Sequence, residues 1–321
     1  MVGRRSLGIA IASLALMAAA AWGADYRLEK RFELGAGASL SLRAETGNVV
    51  VRGGGGSEAV VTVTSNRSDF TDVYSVVVEE TGGGGLEVVI EKKTRGLLGW
   101  FDSSHGRTEV SVALPASASA EIASSGGRVE VSGLDGAVRA KSSGGGIHVV
   151  ELGGDAALQS SGGRVAAERV AGDVEASSSG GGFEVRQIAG AARLRSSGGS
   201  VDGEEIGGDV DASSSGGGVR IREAHGAVVA GSSGGPVHVE FAAGNARGGS
   251  IGSSGGGVDV RLDAAAAVDL DAVASGGRVS SDLGVTVHGK VKRDTLQGEL
   301  NGGGALLKLR SSGGGITIAA K

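Results

Sequence analysis

The residues able to do chemistry in this chain are few and scattered. Its histidines are His105, His148, His225, His238 and His288, and it has no cysteine. Asp102, His105 and Glu109 lie close in sequence. Their spacing matches no strong metal signature and reads as a solvated loop. Asp155, Asp173 and Asp209 each follow a glycine, in step with one another. Aspartates recurring in Gly-rich turns suggest a calcium-stabilised β-roll, although Ala191 and Ala227 interrupt the series. Glu130, Glu184 and Asp259 are the candidates for paired-carboxylate sugar hydrolysis, with Arg220 among them; no compact acid pair stands out. Gly-rich loops cradle phosphate where Gly-Lys-Ser/Thr opens a helix, and that phrase does not occur. The remaining candidate is an interaction loop. Leu97, Leu98, Trp100 and Phe101 cluster between glycines, and aromatic anchors carry interface energy. The alternative is a plug folded over the end of a core, because an exposed Leu-Leu-Gly-Trp-Phe run invites aggregation.

These residues hang on a repeat. Ser-Ser-Gly-Gly begins at Ser124, Ser142, Ser160, Ser178, Ser196, Ser214 and Ser232, in steps of 18 residues. Two longer steps of 21 reach Ser253 and the degenerate Ala274-Ser275-Gly276-Gly277, and a further copy opens at Ser311. Each unit holds two short alternating segments separated by glycine turns. In the first, Val129 and Val131 share a face, with Leu134 closing that half. In the second, Val138, Ala140 and Ser142 share a face while Arg139, Lys141 and Ser143 point away. One inward column reads Val138, Ala156, Val174, Ala192, Val210; the next reads Ala140, Leu158, Ala176, Leu194, Ala212. Large beside small at constant coil volume is what close packing requires. The same alternation has a 36-residue period, so a coil of 36 residues with four strands is the alternative. The first serines are expected to form an inward hydroxyl ladder, bonding one another and nearby carbonyls. Gly136 and its equivalents imply a positive φ or a close backbone approach. His148 and His238, ninety residues apart, fall five coils apart in one outward column and cannot share a metal.

Composition fits this reading. Gly accounts for 63 of 321 residues and aromatics for 3%. The period excludes collagen, and the spaced Val, Ile and Ala argue for many short strands. Burial must therefore come from stacking neighbours. Residues 1 to 23 read as a secretory signal: Arg4 and Arg5, an apolar run from Leu7 to Ala21, and small residues before a cut at Ala24. No second run of spanning length follows, so no membrane span is expected after cleavage. Losing Arg4 and Arg5 takes the formal net charge from −5 to −7, which disfavours nucleic acid as a partner. Without cysteine there is neither a lipoprotein anchor nor a disulfide framework.

Gly47-Asn48-Val49-Val50-Val51, then Val110-Ser111-Val112-Ala113-Leu114-Pro115, the serial Ser-Ser-Gly-Gly-x-Val-x-Val units and Asn301-Gly302-Gly303-Gly304 occur together. This set resembles the bacterial putative adhesin family, a domain of unknown function built from repeated Ser-Gly-Gly strands. The resemblance spans nearly all of the chain beyond residue 23. It implies the fold and carries over no catalytic residue. The Leu97–Phe101 insertion and the longer final spacings depart from the simple pattern. The expected fold is an all-β, parallel β-solenoid of about 18 residues per coil, each with two short strands. Residues 24–121 form an irregular β-rich N-terminal part and cap, and residues 122–321 form the repeat solenoid. Strands after Gly257 are expected to finish the array and cover its far end. The expected function is an exported, non-enzymatic, adhesin-like scaffold or binding surface at the bacterial cell envelope, periplasmic or extracellular. It needs no cofactor and meets an envelope, surface or glycan partner. The alternatives are a carbohydrate-active enzyme on a β-helix and the calcium roll.

Overall fold

A computed structural model describes residues 25–35, 37–93, 106–287 and 292–321. The chain winds into a parallel β-solenoid of two long sheets, one of 14 strands and one of 15. Strands run in chain order from β1 (Tyr26–Glu33), β2 (Ser39–Ala44), β3 (Asn48–Gly54) and β4 (Glu58–Ser65) through a single helical turn, α1 (Phe70–Val73). Then come β5 (Tyr74–Thr81), β6 (Gly85–Lys92), β7 (Thr108–Pro115) and β8 (Ser119–Ser124). The regular coils begin with β9 (Val129–Leu134) and β10 (Val138–Ser142), and continue to β19 (Val219–Ala224) and β20 (Val228–Ser232).

Val138 pairs with Ala156, and Ile147 pairs with both Val129 and Val165. Equivalent residues 18 apart thus lie directly above one another, which excludes the 36-residue coil. Each coil contributes one strand to each sheet, and the inward valines, leucines and alanines of both columns are buried. Fourteen strands at about 4.8 Å make a rod roughly 60 Å long.

Three features shape each coil. Gly133, Glu151, Arg169, Gln187, Glu205 and Glu223 stack with left-handed φ between 52° and 70°. This kink allows positions three apart, such as Val149 and Leu152, both to face inward; an unbroken strand would send one to solvent. Gly136 is needed for close approach, since a Cβ there would meet the Ala118 carbonyl oxygen at 2.4 Å. The first serines are all buried, from Ser124 to Ser311. Their hydroxyls do not bond one another. Ser160 Oγ accepts the Gly163 N–H at 3.0 Å and donates to the Gly145 carbonyl of the preceding coil at 3.3 Å. Serine is the smallest side chain that can satisfy both turn groups, because it offers donor and acceptor on one atom.

Order along the rod differs from order along the chain at both ends. At the early end, β2 lies between β6 and β8, and β3 lies between β7 and β9, all parallel. Residues 39–54 thus form a true coil inside the stack. Beyond it, antiparallel strands close the end: β5 on β6, β4 on β7, and β1 on β4. Lys30, on the side of β1 shared with Tyr26, Leu28 and Phe32, donates to the Val78 carbonyl of β5 at 3.0 Å. That contact ties the two outermost strands together across the core.

At the late end, β21 (Val237–Phe241), β22 (Gly249–Ser253) and β23 (Val258–Leu262) continue the stack. They are followed by β24 (Val268–Ala274), β25 (Val279–Ser281), β26 (Val285–Val287), β27 (Thr295–Leu300), β28 (Ala305–Ser311) and β29 (Ile316–Ala320). Here the structure corrects part of an expectation. β28 and β29 do not cover the far end. β28 lies between β22 and β24, and β29 between β23 and β25. The covering elements are β27, antiparallel to β24, and β26 upon it. Among the described residues, no helix is long and apolar enough to cross a membrane.

Candidate functional site

The described chemistry is displayed on two flat outer faces and the corners between them. On the face bearing β9 to β19, register builds an outward column of Glu130, His148, Ala166, Glu184, Asp202, Arg220 and His238, continued by Asp259. Glu130 and Glu184 are three coils apart, too far to flank one glycosidic bond. Glu184 does stand beside a carboxylate, that of Asp202, which sequence inspection passed over although it lies 18 residues on.

Neither carboxylate is free. Glu184 is held by Arg186 at 2.6 Å and Arg164 at 3.2 Å. Asp202 is held by Arg222 at 3.4 Å and Arg220 at 3.6 Å. Glu204 joins the two groups through Arg222 at 2.9 Å and Arg186 at 3.5 Å. Hydrogen bonding to Glu204, with Asp202 and Glu240 nearby, holds the Arg222 guanidinium above its ordinary value. A carboxylate flanked by two guanidinium groups is a fixed acceptor, ill suited to deliver a proton. Farther along, His238 Nδ1 lies 2.8 Å from Asp259 Oδ2. The 21-residue step concealed that pair from a search at constant spacing.

The aspartates of the proposed roll serve the backbone. Asp155 Oδ1 accepts the Asp173 N–H, Asp173 Oδ1 accepts the Ala191 N–H, and Asp209 Oδ1 accepts the Ala227 N–H, all within 2.9 Å. Each carboxylate therefore caps the next coil along a shallow groove of about 470 Å³, which Arg139, Glu175, Arg193 and Asp211 also line. Among the described residues, no three His, Cys, Asp or Glu side chains converge on a metal position. Leu97, Leu98, Trp100 and Phe101 lie outside the described residues, as do Asp102, His105 and His288, while Glu109 is exposed on β7. The described rings are in the core or at the early end. Phe183 and Phe241 are buried, and Phe70 packs between Tyr26 and Tyr74 at 4.7 and 5.3 Å.

Stacked parallel coils, a buried serine at one turn of each regular coil and long outward columns define a β-solenoid of the Ser-Gly-Gly type. The Toastrack DUF4097 family model matches residues 38–319, and the chain belongs to that family. No curated protein sequence matches it. Similar solved structures include a putative cell adhesion protein from Clostridium sporogenes, at 12% identity over 92% of this chain and 100% of that one, with a TM-score of 0.25. A putative adhesin from Bacteroides fragilis is 12% identical over 93% and 99% of the two chains, with a TM-score of 0.38. Another from Parabacteroides distasonis is 12% identical over 93% and 98%, with a TM-score of 0.34.

Proposed function

We propose that this protein is an exported, non-enzymatic β-solenoid that presents a binding surface at the bacterial cell envelope, with an envelope component or glycan as its partner. The observation that carries this reading is the pair of long outer faces. They repeat side chains at a fixed spacing of about 4.8 Å along a rod, a geometry suited to a partner that is itself extended. The arginine-held carboxylates Glu184, Asp202 and Glu204 favour a recognition surface over acid–base catalysis. Leu97, Leu98, Trp100 and Phe101 remain the proposed apolar contact.

The test is a binding screen of the protein against glycans and isolated envelope fractions, with cell fractionation to place it. It is repeated with Trp100→Ala and Phe101→Ala. Retention on an envelope fraction, weakened by those two changes, is the expected result. Release of reducing ends from an envelope polysaccharide, lost on Glu184→Gln with Asp202→Asn, would establish the enzyme instead.

A further inference from the structure

A second groove, of about 430 Å³, opens at a corner of the same 15-stranded sheet as the first, toward the early end of the rod. Its floor is one outward column. Register places Arg43 beside Ala123, Ala123 beside Lys141, and Lys141 beside Gln159. Two cations thus stand two strands apart, roughly 10 Å at the backbone, with only a methyl group between them. That leaves a slot the width of one planar anion.

Neither Arg43 nor Lys141 has an ion pair or a side-chain hydrogen bond within the described protein. Several cations elsewhere on the rod are paired instead. Arg195, in the same column as Lys141, is held by Asp211 at 2.6 Å, and Arg164, Arg186, Arg220 and Arg222 are all paired. Two exposed, unpaired cations around a small residue are poised for a ligand carboxylate, which each can meet with a charge-assisted hydrogen bond.

The walls narrow the choice of anion. Ser125, Ser143 and Ser161 line one side, exposed, at one hydroxyl per coil. Their backbone N–H groups are used by the stack, on the carbonyls of Ala44, Ser124 and Ser142, but their hydroxyls have no partner in the described protein. The rim also carries Glu45, whose carboxylate accepts the Lys92 N–H at 2.7 Å, and Glu91. Two acids against two cations leave the groove near neutral, without the net positive potential that would draw in a dense polyanion such as polyphosphate. A chain with one carboxylate per sugar ring and many hydroxyls suits it: the carboxylate fills the slot, and hydroxyls meet the serines, Gln159 and the glutamates. From this juxtaposition we infer a binding site for a uronic-acid-containing glycan. The inference rests on the envelope-binding reading above and names its ligand class.

The experiment is calorimetric titration of the full chain with a short oligogalacturonate, with its carboxyl-reduced counterpart, and with tripolyphosphate. The carboxylated oligomer should bind at least tenfold more tightly than the reduced one. Arg43→Gln and Lys141→Gln should each weaken it about tenfold, and Lys141→Arg should retain it. Ala123→Glu, which puts the protein's own carboxylate in the slot, should abolish it. All three side chains are exposed, so unchanged melting temperatures will verify folding. Equal affinity for the reduced oligomer, tighter binding of tripolyphosphate, no binding of oligogalacturonate, or an unaffected double variant carrying both Arg43→Gln and Lys141→Gln would each overturn the site. Envelope binding that survives the double variant would sink this groove and spare the broader function; no envelope binding at all would sink both.

Discussion

A hydroxyl group is the smallest part on which the stack depends. Ser160→Ala would strip the Gly145 carbonyl and the Gly163 N–H of their partner. Leaving these half-buried groups unpaired costs about 1 kcal/mol. Ser161→Ala, at the exposed next position, should stay within about 0.5 kcal/mol, and urea denaturation of the two variants separates them. The left-handed column offers the opposite change. Gln187 is exposed with φ of 56°, a conformation asparagine tolerates better. Gln187→Asn should stabilise by roughly 0.5–1 kcal/mol in the same assay. The serine ladder was legible in sequence because its chemistry and period coincide. Its partners were half legible: turn carbonyls were foreseen, but hydroxyl-to-hydroxyl bonds do not form. The left-handed column was not legible, because Glu151, Arg169 and Gln187 carry no local signal for it. Burial of Leu152, Val170 and Ile188 imposes that conformation from outside the residue.

The informative elements are β28 and β29, held on both sides. Arg310 is the chief reason that the Asp271 carboxyl sits below the ordinary Asp range, with Gln297 contributing. That contact ties β28 to β24. A carboxyl with a lowered folded-state value stabilises fully above its unfolded value, and the contribution fades as pH falls through the lowered one. Melting curves should therefore show an acid-side loss at Asp271, absent in Asp271→Asn. Arg310 is 38% exposed at its side chain, so screening limits the effect to roughly 1 kcal/mol. Hydrogen exchange tests the placement itself. Amides of Leu307, Leu309 and Ile318 should be protected as well as those of the central coils; rapid exchange there would contradict the intercalation. Chain order hid this arrangement. Coils with the same inward pattern are interchangeable neighbours, so sequence can define a coil without defining its position in the pile.

For the molecule as a whole, the repeat predicts modularity. Deleting residues 161–178 removes one full turn and rejoins Ser160 to Ser179. The shortened protein should fold cooperatively, with scattering showing a rod about 4.8 Å shorter. Deleting only 161–169 should abolish folding, since every later strand would meet the wrong sheet. At this scale the sequence was most informative, because the 18-residue period sets coil size, sheet number and which side chains face inward. Surface pairing was less so: Arg164 reaches Glu184 and Arg222 reaches Asp202 diagonally across adjacent coils. The intercalated coils also make the two ends of the rod assemble differently. Residues 39–54 are synthesised before the coils on either side, so those neighbours can condense around a piece already present. Residues 305–320 emerge after both of theirs. A slot must be held open for them, or reopened, and that late docking should set the slowest phase of folding.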